Sequence, residues 1–593
     1  MDITKQSEKQ IVEGILKLKK NYEESTQDQR KEMADIFAAY MGQMDKVEKL
    51  PYKSQETVPK LRTEIAYVKP YIFSGEPEIE VEGVGDEDKT LSKILERIVN
   101  YRIQVSIPNA YGKIEDWVHQ GTTFGTSLLL PVWRFETKKQ VNETKVKDSE
   151  DEMGVEEPQE FDVVVRDEPD FEVPNILDCF YNPLIPEVEQ QPCIIYRSIL
   201  TVDEIKNNKA YTFVNEETKK LSREIIEATG SMQVNQYDSS QLSNTDIPNA
   251  QQKATDGMVE VYEKVTKDRI TTIAIGRQNL VLRDTPHTHG FINAVKFVFE
   301  KNTIPNRFNG LGVGHNTLGL GKMYHQMFNQ TMDGVKLANN PMFMFAKGSG
   351  IDARQLVAKP GGAISVDTRG GTLQGVIQPI IFPDVKQGAV EIMTKLDDEH
   401  KRASGANDLV QGGASNATLG QDQIAQTNTS NRFELIQRRF RHALAEVGEM
   451  LIKLELENLQ SIEAPILRIF PENMRETIFQ LLTTEGQNVK YNVKVKGDTV
   501  VARNKQAEAR SLVDLFNISS AIQTPQGPLL TAKEMRAFLR RIAEKQGEQN
   551  IDEIIGEDTP AQTNIDPTTG QPIDNQGMQQ PQVAQFSQNP YQQ

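Results

Sequence analysis

Residues 421–459 read QDQIAQTNTSNRFELIQRRFRHALAEVGEMLIKLELENL, the strongest helical pattern in the chain. Apolar residues recur there every three or four positions, which places them on one side of an α-helix. These residues are Phe433, Ile436, Phe440, Ala443, Val447, Leu451 and Leu454. At about 1.5 Å per residue, such a helix extends roughly 55 Å. We therefore expect one helix long enough to span a domain.

Two further helices are predicted before this segment, at 310–340 and 384–404. The repeating apolar positions are Leu318, Met323, Met327 and Val335 in the first helix and Val385, Ala389, Ile392, Met393 and Leu396 in the second. Residues 341–383, between the two helices, are rich in Gly and Pro and predict short strands and turns. Residues 405–420 contain Gly412-Gly413 and predict a loop that can change shape easily.

The first half of the chain mixes helical and strand patterns. Helical spacing occurs at 5–48 and 90–120, and strand patterns occur at 78–82, 127–135, 258–266, 270–275 and 279–283. Nothing in this order resembles a parallel βαβ series, so we expect an α+β region. The charge-dense residues 137–160 predict a solvated hairpin tip or loop, and the Ser/Gln/Asn-rich residues 230–256 predict a long mobile loop.

The C-terminal part changes in composition. An alternating strand pattern at 491–496 is followed by helical patterns at 504–522 and 531–546. Residues 556–593 are rich in Gln and contain no Lys or Arg, so we expect them to be disordered.

Overall composition restricts the functional class. The chain has 593 residues and a formal net charge of −17, which disfavours a tight nucleic-acid binder because such proteins carry a basic surface. An acidic protein can still handle DNA where the contact must slide. The chain has only two cysteines, Cys179 and Cys193, and so few cysteines indicate a protein made in a reducing compartment with free thiols. No signal peptide or long apolar run is recognisable, so we expect a soluble protein made in the cytoplasm, without membrane contact.

Several short motifs suggest chemistry but have simpler interpretations. His287 and His289 lack carboxylate or Cys partners at metal-binding spacing, so a surface loop is expected. The glycines of 310–314 lack dinucleotide-loop spacing and predict a flexible start to a helix. Residues 321–322 (Gly-Lys) lack the first Gly and the Ser/Thr of a P-loop. The acidic run 397–400 is interpreted as a solvated helix face. We therefore expect no catalytic residue, cofactor or metal site.

The order of segments resembles the portal proteins of short-tailed and related bacteriophages. In the second half, the similar sequence segments are LANNP at 337–341, KPGG at 359–362, PIIFPD at 379–384, ASGAN at 403–407 and RFELIQRRF at 432–440. In the first half they are VPKLR at 58–62, WVHQGTTFG at 117–125 and PNILDCFYNP at 174–183. The resemblance covers roughly residues 50–545 and rests on segment order, not on a catalytic signature.

The resemblance implies an α+β, predominantly helical portal-type fold with wing, stem, clip and crown regions. The implied regions are the wing at 1–309, the first stem helix at 310–340, the clip at 341–383, the second stem helix at 384–404, the tunnel loop at 405–420, a long helix with a wing return strand at 421–503, crown helices at 504–555 and the tail at 556–593.

The same resemblance implies a function and a set of partners. The expected assembly is a dodecameric ring at one capsid vertex, a conduit for double-stranded DNA during packaging and ejection. The expected partners are the terminase, the major capsid and scaffolding proteins, and the head-completion or tail adaptor proteins. The expected location is the virion, after synthesis in the host bacterial cytoplasm.

Candidate site residues follow from these regions. Candidates facing DNA in the tunnel are Lys386, Lys395, Lys401, Arg402, Asn407, Gln411 and Asn416. Candidates for partner docking on the clip are Lys347, Arg354, Lys359 and Arg369. Candidates for contacts between subunits are Arg438, Arg439, Arg441, Glu434 and Glu446, although the arginines could equally grip DNA. On the second stem helix, mixed charge would attract phosphates weakly, without the fixed contacts that stop sliding.

Three alternatives remain open at the level of sequence. The chain could be another virion structural protein, such as a head-tail adaptor or a capsid subunit. It could be a DNA-processing nuclease that uses Asp397 and Asp398. It could also be a cytosolic helical scaffold that forms no ring.

Overall fold

A computed structural model describes residues 2–42, 60–141, 160–201, 258–339, 343–345, 377–379, 386–406, 419–459 and 464–495, apart from residues 76, 86, 277–278, 288–289, 305, 485 and 487–489. Short pieces between 204 and 211 and between 512 and 542 are also described. The chain divides into two compact units, Met1–Ala502 and Arg503–Gln593.

Nine long helices are described in the first unit. They are α1 (Asp2–Ser25), α2 (Gln27–Tyr40), α3 (Lys60–Ile72), α4 (Lys89–Tyr101), α5 (Ala110–Phe124), α6 (Val313–Asn339), α7 (Lys386–Ser404), α8 (Leu419–Asn458) and α9 (Glu472–Thr484). A π-helical turn, Arg102–Ser106, follows α4. The helices predicted at 310–340, 384–404 and 421–459 are thus confirmed, as α6, α7 and α8.

The described strands of this unit form four antiparallel sheets. They are β1 (Ile79–Gly83), β2 (Thr126–Val141), β3 (Glu160–Glu172), β4 (Cys179–Phe180), β5 (Ile194–Thr201), β6 (Met258–Val265), β7 (Arg269–Ile275), β8 (Leu280–Pro286), β9 (Val295–Val298), β10 (Phe343–Phe345), β11 (Ile377–Pro379) and β12 (Tyr491–Val495). The strand orders are β4-β5-β6-β7-β8, β3-β2-β9, β1-β12 and β10-β11. Every described pairing is antiparallel, so the α+β prediction is confirmed.

The long helix α8 organises the largest core. All seven apolar residues of its predicted stripe are buried. At its centre the rings of Trp117, Phe297 and Phe440 lie 5.6 to 5.9 Å apart, which joins α5, β9 and α8. Such edge and tilted ring contacts each add about 0.5–1.5 kcal/mol beyond the buried area. The sequence periodicity therefore identified the element around which the body is built.

A close backbone approach explains the glycines near the start of α6. Gly125 ends α5 with φ +81°, a conformation that favours glycine. A Cβ on Gly312 would lie 2.5 Å from the backbone nitrogen of Gly125, and one on Gly310 or Gly314 would also overlap neighbouring atoms. A helix does begin here, at Val313, as predicted, but the interpretation of the glycines as a source of flexibility is wrong. These glycines allow two chain segments to pack in contact.

The strands β2 and β3 form a hairpin that is longer than the sequence suggested. Pairing runs from Leu130–Glu172 to Val141–Glu160, with an irregularity between Glu136 and Thr137. Residues 137–141, assigned to the predicted loop 137–160, therefore belong to β2, because backbone pairing continues into the polar part of the chain. Residues 142–159 lie outside the described residues.

A buried ion pair fixes the far end of α8 to the π-helical turn. The guanidinium of Arg102 donates to the carboxylate of Glu455, and both side chains are buried. Burial raises the pKa of Glu455, while the charge and hydrogen bond of Arg102 lower it. A second carboxylate, Glu168 of β3, lies 3.5 Å from Arg102, so this pair also ties the hairpin to the body.

Both cysteines are free and buried. Cys179 belongs to the main core, whereas Cys193 packs with Tyr22 of α1 in a separate core between α1 and the five-stranded sheet.

The second unit, Arg503–Gln593, is described at few residues. A short antiparallel pair, β13 (Gln523–Thr524) and β14 (Gly527–Pro528), lies within it, and the rings of Phe516 and Phe538 are 6.1 Å apart. The predicted loop 230–256 and tail 556–593 lie outside the described residues.

Candidate functional site

The helices α6 and α7 pack as an antiparallel pair that brackets the short β10-β11 ribbon. Their direction follows from two contacts. A small cavity is lined by Gly321, Tyr324 and His325 from the first half of α6 and by His400 near the end of α7, and β10, which follows α6, pairs with β11, which precedes α7. With 27 and 19 residues, the helices extend roughly 40 and 28 Å. The described order is therefore a long helix, a strand pair and a second helix.

A polar joint connects the helix pair to α3. Lys60 Nζ lies 2.6 Å from Asp397 Oδ1 and 3.3 Å from the centre of the Tyr324 ring. His400 Nδ1 lies 2.6 Å from Glu64 Oε1, and both side chains are about 95% buried. We call Lys60, Glu64, Tyr324, Asp397 and His400 the polar joint. It holds the C-terminal end of α7 against the body.

The electrostatics of the polar joint favour the ion pair at Asp397. Partial burial alone would raise the pKa of Asp397, but the hydrogen bond and charge of Lys60, together with Lys401, lower it overall. The other oxygen of Glu64, Oε2, is buried and has no hydrogen-bond partner among the described residues. The neighbouring cavity measures about 30 Å³, which is large enough for one water molecule.

The interpretation of 397–400 as a solvated face is wrong for two of its residues. Asp398 and Glu399 are exposed, but His400 is buried and Asp397 pairs with Lys60. The physical reason is a partner on α3, more than three hundred residues earlier in the chain. Sequence reasoning missed Lys60 and Glu64 because no local pattern marks a partner at that separation.

The tunnel candidates occupy different surroundings where they are described. Lys395 is exposed, and Lys401 is half-buried with its Nζ 3.5 Å from Asp397. Arg402 is exposed and lies 3.2 Å from Glu399. Lys386 begins α7, but its side chain lies outside the description, as do Asn407, Gln411 and Asn416. All four clip candidates, Lys347, Arg354, Lys359 and Arg369, also lie outside the described residues.

The candidates for contacts between subunits lie along α8. Arg438 lies 2.6 Å from Glu434 one turn away, and both are exposed. Arg439 donates to the carbonyl oxygen of Phe299 at 2.7 Å, within its own chain. The Nε atom of Arg441 is buried and has no hydrogen-bond partner within the described part of the chain.

The last of these candidates, Glu446, lies 3.3 Å from His442. Burial raises its pKa, and the charges of Glu189, Glu187 and Glu449 act in the same direction, against His442. Glu446 is therefore part of an acidic surface, whereas Arg438, Arg439 and Arg441 make the preceding part of α8 basic.

The other motifs considered in the sequence have local explanations. His287 Nε2 lies 2.8 Å from the carbonyl oxygen of Thr266, at the turn between β6 and β7, whereas His289 is outside the description. Lys322 of the Gly-Lys pair lies 3.5 Å from Asp35 of α2. Across the described ranges, no group of three or more His, Cys, Asp or Glu side chains is arranged to hold a metal ion.

No helix among the described residues combines the length and apolar character needed to cross a bilayer.

Comparison with curated proteins finds no match. Comparison with protein families finds a match to the family described as phage SU10 portal protein, over residues 15–589. The match includes the whole of α2 to α9, with the helix pair and the polar joint, and nearly all of the sequence beyond them. On this basis, the chain belongs to the phage SU10 portal protein family.

Proposed function

We propose that this portal protein forms a dodecameric ring at one capsid vertex and that α6 and α7 line its central channel. In this proposal, double-stranded DNA passes along the channel during packaging and ejection. Residues 1–309 would form the wing, 310–340 and 384–404 the stem helices, 341–383 the clip, 405–420 the tunnel loop, 421–503 the long helix and return strand, and 504–555 the crown.

The observation that carries the proposal is the one-sided attachment of α7. Ala389 and His400 are buried, whereas the residues between them on the other faces, including Lys395, Asp398 and Glu399, are exposed. A helix that is held to the body at one end and exposes mixed charge along its length suits a channel wall. Lys386, Lys395, Lys401 and Arg402, with Asn407, Gln411 and Asn416 of the tunnel loop, are the proposed DNA-facing residues.

The charge of the chain supports a sliding contact. With −17 per subunit, a ring would present mainly negative potential to the duplex, which limits adhesion. A few cations among many carboxylates make weak and interchangeable phosphate contacts. The channel would therefore guide DNA without gripping it.

We assign different partners to the two ends of the proposed stem. The clip, with Lys347, Arg354, Lys359 and Arg369, would dock the terminase first and the head-completion or tail adaptor proteins later. The wing and crown would contact the major capsid and scaffolding proteins. The virion is the proposed location, after synthesis in the host bacterial cytoplasm.

Deletion of residues 409–418 tests the channel assignment. We expect the variant to form rings, seen by negative-stain electron microscopy, and to impair DNA packaging or retention. The matched control replaces the same ten residues with a Gly/Ser segment of equal length, which keeps the loop length and removes its side chains. Failure of the deletion variant to form rings, while the control forms them, would contradict a tunnel loop and assign the segment a structural role.

A further inference from the structure

Two hydrogen-bonded turns in linked segments each expose an aliphatic side chain. Asn182 Oδ1 accepts a hydrogen bond from the backbone nitrogen of Leu184, and Asn302 Oδ1 accepts one from that of Ile304, both at 3.0 Å. The segments are joined by a hydrogen bond from Phe308 N to the carbonyl oxygen of Pro183. Leu184 is 60% exposed and Ile304 is 57% exposed. Each turn therefore presents a large aliphatic side chain to solvent in an ordered position.

The turns are held in place before any partner binds. The side chain of Gln191 is buried, accepts a hydrogen bond from Asn182 N, and donates to the carbonyl oxygens of Asn182 and Ile185. The rings of Tyr181 and Phe308 stack beneath the turns at 4.0 Å. Because the backbone is already ordered, docking here would cost little conformational entropy.

Carboxylates surround these aliphatic residues. Glu187 and Glu189 are exposed on the same loop as Leu184, and their charges act on Glu446 of α8, as does that of Glu449. Lys296 lies beneath, directed to the carbonyl oxygen of Pro186 and 4.7 Å from the Phe308 ring centre. The four carboxylates outnumber the two nearby lysines, Lys296 and Lys301. We call Leu184, Glu187, Glu189 and Ile304 the acidic turn surface.

A groove of opposite character lies on α4. It measures about 550 Å³, and Glu96, which lies 2.9 Å from Lys93, is the one carboxylate of its lining. We call Lys93, Arg97, Tyr101, Val105 and Ile469, which also line it, the basic groove, because its cations together with the neighbouring Lys89 outnumber Glu96. Lys89 lies one helical turn before Lys93, so the basic residues lie toward the start of the helix and the apolar Val105 lies at its end. Val105 is 66% exposed. Arg97 is fixed by its hydrogen bond to the carbonyl oxygen of Ile469.

The two surfaces lie on opposite sides of α8. The loop of Glu187 and Glu189 is bound through the carbonyl oxygen of Pro186 to Lys296 of β9, which packs on α8, and its charges act on Glu446. By contrast, Glu455 binds Arg102, which follows Tyr101 of the groove. Nine residues separate the two glutamates, and at about 100° per residue they point roughly 180° apart. Surfaces on opposite sides of one subunit can meet only between different copies in a head-to-tail arrangement.

We propose that the acidic turn surface of one subunit docks in the basic groove of the next copy. Leu184 and Ile304 would cover Val105 and Ile469, while Glu187 and Glu189 would face Lys89, Lys93 and Arg97. A head-to-tail contact of this kind closes into a ring when its rotation permits, so the inference rests on the proposed ring and names one of its interfaces. Complementary charge would fix its register.

Cross-linking between two proteins, each with one introduced surface cysteine beside the buried Cys179 and Cys193, tests the contact directly. We would mix Leu184→Cys protein with Val105→Cys protein, each detected by a different tag, and add a short bismaleimide. A covalent heterodimer is expected. The control partner is Ile199→Cys on β5, which is 40% exposed and lies outside both surfaces, and it should give no heterodimer. Cross-linking of Leu184→Cys protein only to itself, or to neither partner, would overturn the inference.

Charge exchange tests whether the contact supports assembly. The variants E187K/E189K and K89E/K93E should each raise the subunit concentration for half-assembly at least about tenfold, which corresponds to roughly 1.4 kcal/mol. Mixing the two variants should restore assembly with the two variants in alternation, because each surface then meets one of opposite charge. Combining all four changes in one chain should also restore rings. E13K/E24K on α1 is the exposed control and should assemble like the parent.

The outcomes separate this inference from the proposed function. If the parent and both charge variants form the same rings at the same concentration, the ring stands and this interface is wrong. If the parent forms no ring but Leu184→Cys and Val105→Cys proteins still cross-link, the contact stands and the ring proposal is wrong.

Discussion

The helices α8 and α7 show similar apolar periodicity but differ in how they are buried. All seven stripe residues of α8 are buried within the chain, from Phe433 to Leu454. In α7, Ala389 is buried, but Ile392 is 47% exposed although it belongs to the predicted stripe, and Val390 is exposed as well. The difference indicates that α8 is completed by its own subunit, whereas α7 has a face that a single subunit leaves open.

The strongest test of this comparison is at the centre of α8. Phe440→Ala should lower the free energy of unfolding by about 3–5 kcal/mol, because it removes the ring that contacts Trp117 and Phe297. Calorimetric or near-UV circular dichroism melting of the purified protein would measure the loss. Phe440→Leu is the control and should cost less. A loss below about 1 kcal/mol for the alanine variant would contradict the central role of α8.

The polar joint should give the next largest effect. His400→Ala leaves Glu64 buried without the partner of its Oε1, which costs about 1–3 kcal/mol. Glu64→Ala should cost a similar amount, and the double variant should cost less than the sum, because each single change removes the same contact. Additive melting shifts would mean that the two side chains do not act as a pair.

Asp397 should show a smaller and pH-dependent effect. Asp397→Asn should cost at most about 1 kcal/mol at neutral pH, because the pairs with Lys60 and Lys401 are partly exposed. The pKa of Asp397 is lowered in the folded state, so its contribution is present above its ordinary pKa and is lost as the pH falls through the lowered value. Melting curves of parent and variant should therefore converge in acid. A difference that grows on acidification would reverse the assigned direction.

The exposed face of α7 should have the smallest effect on the single subunit. Val390→Ser with Ile392→Ser should change the free energy of subunit unfolding by no more than about 0.5 kcal/mol, because both side chains are already about half exposed to water. If neighbouring copies complete α7, the same variant should weaken ring assembly, measured by mass photometry. Thr394→Ser on the exposed part of α7 is the matched control. A large melting shift with normal assembly would show that the face is covered within the subunit.

The sequence alone determined the elements that depend on local periodicity. The repeats of α6, α7 and α8, and the alternation that makes β1 and β12, are properties of neighbouring residues, so their existence and type could be predicted. Segment order also identified the portal family, which the match over residues 15–589 confirms.

Only the tertiary structure decided contacts between distant segments. Lys60 and Glu64 meet Asp397 and His400 across more than three hundred residues, and Gly125 meets Gly312 across nearly two hundred. No local pattern encodes such pairs, because burial and partner are fixed when elements pack, and the packing is a property of the whole chain. For that reason the acidic run 397–400 was interpreted as solvated from sequence, and the joint that fixes α7 became visible only in the fold.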